Sequence, residues 1–229
     1  PPISTLFPYT TLFRSHSLQQ IIKYNSISYI NHYYQGVNVR KTEVKNKIKD
    51  DYILFVSANR LEKNFIRAIK AFCIFKSKTN NNILFYVTGI NGHLKKKILK
   101  SFKETDRTLI EKWTIQYDYV DSEYLQDLFS QCKFFLYTSR SEGFGLPVME
   151  AIFYGKAVVA SYLSSIPEVA GSNVYYVDPY SISSIEAGIS YMSNIDNLHE
   201  YENRVKKIAP IMHERIIIDQ ENLLSEILD

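Results

Sequence analysis

Two glutamates and two cations frame the chemistry open to this chain. Glu142 and Glu150 stand eight positions apart in "SEGFGLPVMEAIFYGKAVVAS", residues 141–161. Gly143, Gly145 and Pro147 lie between them. Glycines let a backbone turn tightly and approach a ligand. A proline suits the first turn of a helix, where its missing N–H costs nothing. Such a helix start attracts anions, whereas carboxylates repel them. The conflict disappears if the carboxylates bind neutral hydroxyls and leave the anion to other groups. A nucleotide-sugar fits this condition, because its diphosphate lies between two polyol rings. Each glutamate can accept charge-assisted hydrogen bonds from one ring. Upstream, "SANRLEKN" (57–64) offers Arg60 and Lys63. A guanidinium fork beside an ammonium point charge makes a sensible diphosphate clamp.

These residues sit where an alternating strand–helix pattern would deliver them to one edge. "YILFVSA", "NILFYVTG", "FFLYTS", "AVVAS" and "VYYVDP" are short apolar runs that read as buried strands, with "WTIQ" as a weaker one. Between them, "NFIRAIKAFCIF", "HLKKKILKSFK", "SEYLQDLFSQC", the stretch from Leu146 and "SISSIEAGISYM" carry helical spacing. Ser122 is placed to cap the third of these helices, and Gly155 to end the fourth. A last helix is expected from Tyr201, broken or kinked at Pro210. Repeated βα units imply an α/β fold, a Rossmann-like doubly wound parallel sheet with a helical C-terminal tail. In such sheets ligands sit outside the carboxyl ends of the strands, so chemistry is sought in the strand-to-helix loops.

Composition removes several function classes. The 229 residues include 27 basic and 24 acidic side chains, a net charge of +3, and 45% apolar residues. That suits a globular core and lacks the basic stripe a nucleic-acid partner would need. Two distant cysteines, Cys73 and Cys132, fit a reducing, cytoplasmic setting better than a disulfide framework. No apolar run reaches the ~18 residues of a membrane span. Lys95 to Lys97, with Lys100 and Lys103, read first as the wet face of a helix, with peripheral membrane contact as the sharper reading. No D-x-D pair is present, so no catalytic metal and no cofactor are expected.

From Tyr52 to Met192 the chain resembles the C-terminal, donor-binding domain of retaining glycosyltransferases of family 4, the glycosyl transferases group 1 domain, with the GT-B fold. The resemblance rests on "NRLEKN", "DYVDSEYLQDLFSQCKFFLYTSRSEGFGLPVMEAIFYGKAVVAS", "SSIPEVAG" and "YYVDP". It implies that Glu150 contacts the donor ribose. It implies that Glu142 and the backbone of Gly143, Phe144, Gly145 and Leu146 contact the sugar and distal phosphate. Arg60 and Lys63 match the phosphate-binding Arg and Lys, which with Glu142 form the catalytic set. Asp118 stands where a glycine is usual. The implied reaction moves a hexosyl group from a UDP- or GDP-sugar to a saccharide or lipid-linked acceptor, the acceptor attacking on the face the diphosphate leaves.

The expected organisation has four parts. Residues 1–15 contain "TLFPYTTLFRS", which resembles the translation of a common sequencing adapter and is set aside. Residues 16–50 read as a linker or remnant of an N-terminal acceptor domain, "YYQGVN" resembling the stretch before the donor domain. Residues 51–195 form the donor domain and 196–229 a helical segment. A donor half of this kind is expected to bind nucleotide weakly and to transfer little without an acceptor domain. Three other readings stand beside this one. A glycosidase would use Glu142 and Glu150 as acid and base about 5–9.5 Å apart. A nicotinamide-dependent dehydrogenase would end its first strand in G-x-G-x-x-G, whereas this one ends in "SANRLEKN". A non-catalytic nucleotide-sugar-binding module would share the binding residues.

Overall fold

The computed structural model of the protein describes residues 44–56, 60–90, 96, 99–100 and 102–228. The adapter-like segment, most of the expected linker and most of the "HLKKKILKSFK" helix lie outside the described residues. The described strands are β1 (Tyr52–Val56), β2 (Leu84–Thr88), β3 (Thr114–Tyr117), β4 (Phe134–Tyr137), β5 (Ala157–Ser161) and β6 (Tyr175–Val177). All pair in parallel, in the order β3-β2-β1-β4-β5-β6. The helices between them are α1 (Phe65–Lys78), α2 (Glu104–Trp113), α3 (Ser122–Gln131), α4 (Leu146–Phe153), α5 (Ile166–Ala170), α6 (Ile182–Ser193) and α7 (Ile195–Leu228).

The strands are apolar throughout because both faces are covered. Ile53, Phe55, Phe85, Val87, Phe134, Leu136 and Val159 point to one core, closed by α1, α6 and the start of α7. Tyr52, Leu54, Tyr86, Phe135, Tyr137, Val158 and Ala160 point to the other, closed by α3, α4 and α5. Two buried tyrosines of the second core satisfy their hydroxyls within the fold. Tyr52 Oη donates to the Leu128 carbonyl at 2.7 Å, and Tyr86 Oη to Asp50 at 2.8 Å.

Several local expectations change. Asp121, not Ser122, caps α3, its carboxylate accepting from the Tyr124 amide at 2.7 Å. Both residue types can cap, and the one-residue shift puts the stronger anion at the positive helix end. α2 was not expected; only Ile110 among its residues is buried, with Leu109 and Trp113 half-buried beside it on the first core, so its apolar stripe is narrow. α7 begins at Ile195 rather than Tyr201 and is assigned helical through Pro210. Ile208, Ala209 and Met212 pack on the second core around that proline and hold the turn in place. The boundary drawn at residues 195 and 196 falls at the start of this helix, whose Leu198, Tyr201 and Val205 are buried. Residues 45–48 lie across α3, with the Asn46 amide donating to Asp127 and the Ile48 amide to Gln131, both at 2.9 Å.

Gly188 lets α6 lie close on the sheet. A Cβ there would meet Val177 Cγ1 at 2.6 Å and Val159 Cγ1 at 2.9 Å. Both valines are buried, β-branched strand residues with little room to turn. Overpacking costs about 1–3 kcal/mol, against roughly 1 kcal/mol of helix propensity gained. Gly188→Ala is therefore expected to lower stability in urea denaturation, and an unchanged or raised midpoint would show that α6 can retreat freely.

Candidate functional site

In this strand order the chain leaves β1 toward one side of the sheet and β4 toward the other. The crevice between the loops after β1 and β4 is therefore the topological switch point. β1 and β4 are direct neighbours, with Ile53 opposite Phe134 and Leu54 opposite Phe135. The loops carrying Arg60 and Lys63, and Glu142 to Leu146, consequently emerge side by side.

Lys63 ends a 3-10 turn, Leu61–Lys63, and is buried although it is charged. Its Nζ donates to Glu142 Oε1 and to the Tyr137 hydroxyl, each at 2.8 Å. The side chains of this ion pair are only 9% and 12% exposed. The turn is anchored on its other sides as well. Asn64 adopts left-handed backbone at φ 66°. Its Nδ2 donates to the carbonyls of Thr138 at 3.2 Å and Pro179 at 2.6 Å. It thereby ties the loops after β1, β4 and β6 together. The Arg140 amide and the Ser139 hydroxyl both donate to the Glu62 carbonyl, at 2.8 and 3.1 Å.

The Glu142 loop is clamped from its far side too. Its amide donates to Ser164 Oγ at 3.1 Å, and Ser165 Oγ donates to its carbonyl at 3.3 Å. Ser164 itself takes φ 60° to do this, a costly region for a non-glycine residue. Gly145, at φ 91°, turns the chain into α4 with Pro147 in the first turn. Gly143 lies open: a Cβ there would meet nothing within 4 Å. Phe144 turns its ring inward onto Met149 and Val169. Leu146 is half-buried at the helix start, and Tyr154 with Gly155 at φ 69° closes the helix.

Glu150 is half-buried on α4, and desolvation alone pushes its carboxyl up to about 7. Arg60 is exposed beside the 3-10 turn. Tyr137 feels these charges. Its phenol is held well above its ordinary range, first by burial, then by the neighbouring carboxylates of Glu142 and Glu150, against the opposing charge of Arg60. Arg60, Lys63, Glu142 and Glu150 therefore all act on one buried hydroxyl. Among the described residues no cluster of three His, Cys, Asp or Glu side chains could hold a metal ion. No helix among them is long and apolar enough to cross a membrane. Tyr137, Asn64, Ser164 and Ser165 were not singled out in the sequence. Only Tyr137 carried a signal, as a polar group ending an apolar strand.

Comparison with known proteins agrees with this geometry. The profile of the glycosyl transferases group 1 family matches residues 38–211. The chain belongs to that family. Among its relatives, the O-antigen chain mannosyltransferase B of Escherichia coli is 30% identical over 149 residues, which are 65% of this chain and 38% of that protein. The O-antigen chain mannosyltransferase RfbU of Salmonella typhimurium is 26% identical over 175 residues, 76% of this chain and 47% of that protein. The chain thus spans less than half the length of these two relatives. The C-terminal domain of the glycosyl transferase group 1 family protein LpcC from Francisella tularensis superposes with a TM-score of 0.60 at 21% identity, covering 71% of this chain and 85% of that domain. An α,α-trehalose-phosphate synthase from Burkholderia xenovorans gives 0.64 at 13% identity, over 79% and 44% of the two chains. These likenesses show the Rossmann-like fold of GT-B glycosyltransferases.

The ion pair makes a thermodynamic prediction. Removing one partner of a buried pair leaves an uncompensated charge and costs about 3–5 kcal/mol. Glu142→Ala is expected near the lower end, because Tyr137 still bonds the ammonium. The double variant with Lys63→Ala is expected to lose clearly less than the sum of the single losses in urea denaturation. Strict additivity would show that the two ions are not coupled.

Proposed function

We propose that this chain is the donor-binding half of a retaining hexosyltransferase that takes a nucleoside-diphosphate sugar. The observation that carries the reading is the meeting of the two loops. A cation from the β1 loop and a carboxylate from the β4 loop pair across the switch crevice, with Arg60 and Glu150 acting on the same phenol. Lys63 and Arg60 take the diphosphate. Glu150 accepts from the ribose hydroxyls. Glu142 and the backbone from Gly143 to Leu146 take the sugar and the distal phosphate. The relatives named mannosyltransferases make a mannosyl donor the first to try, with UDP and GDP both as candidate carriers. The acceptor is a saccharide or lipid-linked saccharide presented by an N-terminal half, in the cytoplasm or at the membrane's inner face.

The chemistry asked of this half is electrostatic. When the sugar–phosphate bond breaks, negative charge grows on the leaving diphosphate. Fixed donors aimed at that charge are worth about 2.7–4 kcal/mol each in comparable sites. Lys63 is suited to this because its position is set before a ligand arrives, and no reorganisation is needed when the charge develops. The acceptor then attacks on the face the diphosphate leaves, so the anomeric configuration is retained without a protein nucleophile.

Calorimetric titration with UDP, GDP, their sugars and NAD tests the reading. One of the two nucleoside diphosphates is expected to bind and NAD not to. Lys63→Ala and Glu150→Ala should each weaken that binding by about ten-fold, in line with a lost charged hydrogen bond. NAD binding indifferent to Lys63→Ala would overturn it. A pH series adds an independent check. Glu150 holds its proton up to about pH 7 in the folded chain but only to its ordinary value of 4.5 when unfolded. The folded state therefore binds more protons between those values, and stability falls as pH rises from 4.5 to 7. Ribose hydroxyls prefer the ionised acceptor, so nucleotide affinity should rise from pH 6 to 8. Tyr137 and Tyr154, the tyrosines whose titration Glu150 influences, are both raised and stay neutral there. Glu150→Gln is expected to flatten both slopes.

A further inference from the structure

We infer that Tyr137 is a positioning residue for the diphosphate site: its phenol holds the Lys63 ammonium where a phosphate can use it. The inference rests on the donor-binding reading above and extends it to a residue of the strand rather than of the loops. Tyr137 is the last residue of β4 and is 1% exposed. Its ring stacks on Phe135 with centroids 5.6 Å apart, inside the second core. Its position is therefore fixed by the sheet, not by the mobile end of a loop. The hydroxyl accepts from Lys63 Nζ at 2.8 Å, and the same ammonium lies 4.8 Å from the ring centroid. A hydroxyl can accept one bond and donate another. The Glu142 carboxylate, which accepts from the same ammonium, also lies near enough to raise the phenol, so strand and loop acceptors converge on one nitrogen.

Glu142 alone would leave Lys63 poorly defined. An ammonium on a four-carbon stem has no preferred direction, and a carboxylate accepts it over a broad arc. Two acceptors on different elements, one on the strand and one on the loop, fix the nitrogen. An ammonium has three donors; two are used, and the third has no partner among the described residues. A third donor held in place is what a phosphate oxygen needs. The second acceptor is also neutral, so it fixes the cation without cancelling more of its charge.

A double-mutant cycle with UDP and GDP as the probes tests this. Tyr137→Phe removes one oxygen and keeps the packed ring. It is expected to weaken binding of the preferred nucleotide about five- to ten-fold when Lys63 is present. In a Lys63→Ala background the same change should alter affinity less than two-fold. Equal losses in both backgrounds, or no loss in either, overturn the inference while leaving the transferase reading standing. A wild-type chain that binds neither nucleotide sinks that reading and this inference with it. If Tyr137→Phe does not fold, the tyrosine Cζ resonances of the unaltered chain carry the test. The Tyr137 signal is expected to move on adding the nucleotide and again in Lys63→Ala; a signal that ignores both overturns the inference.

Discussion

The arrangement at the sheet edge turns on one lysine ammonium taken out of water. A buried charge of this kind costs several kcal/mol unless it is paired and hydrogen-bonded. Lys63 is 8% exposed, so the fold has to bring it a counter-charge and further acceptors. Glu142 and Tyr137 are those groups, and they come from an element 74 or more residues away in sequence. Every other contact in the crevice supports that meeting. Asn64 fixes the start of α1 against the β4 and β6 loops, Ser139 and Arg140 hold the 3-10 turn, and Ser164 and Ser165 hold Glu142 from behind.

The meeting is possible because of strand order. A parallel sheet with β1 and β4 adjacent at its centre sends the two following loops to the same edge but on opposite faces. The space between them is left uncovered by either helix layer. The two cores fill everything else. Aromatic side chains contribute to both, with Phe55, Phe72 and Phe85 on one face and Tyr52, Phe135 and Tyr137 on the other. The strands beneath the crevice are thus rigid, and the loops above inherit defined origins. Gly145 and Ser164 carry the cost of the final turns as positive-φ residues. The Ser164 position in particular only makes sense as a means of bringing its hydroxyl to the Glu142 amide.

How much of this the sequence disclosed follows from the same physics. The central strands were legible because burial on both faces makes them uninterrupted apolar runs. β3, half-exposed at the sheet edge, read as weaker for the same reason. α2 was missed because its apolar stripe is narrow, with Ile110 buried and Leu109 and Trp113 half-buried on the core. The cap of α3 was misplaced by one because Asp121 and Ser122 are both capable, and only geometry separates them. Pro210 argued for a break because proline removes one helical hydrogen bond. Its neighbours' packing holds the helix through it. In the site, glutamate spacing, glycines and the Arg–Lys loop were written locally. The contributions of Tyr137 and the two serines were not, because each depends on a partner far away in the chain. A tyrosine in an apolar strand looks like packing until its hydroxyl is seen against a cation.

On the proposed donor-binding reading, the geometry also accounts for two carboxylates bordering an anion site. They are neutralised by different means. Glu142 gives its charge to Lys63 at 2.8 Å, so the pair presents a near-neutral dipole rather than an anion. Glu150 forms no ion pair among the described residues; burial raises it to about 7, so near neutral pH it carries its charge only part of the time. Arg60 is exposed beside the 3-10 turn, and in the proposed site it adds positive charge to the field an approaching diphosphate meets. Once the ligand is seated, its hydroxyls can donate to Glu150 and favour the ionised form, while its phosphate can compete with Glu142 for Lys63. The carboxylates are therefore quiet while an anion approaches and become acceptors after it has arrived. A crevice with both glutamates fully exposed and ionised would repel the same ligand, which is why burial of these acids matters as much as their presence.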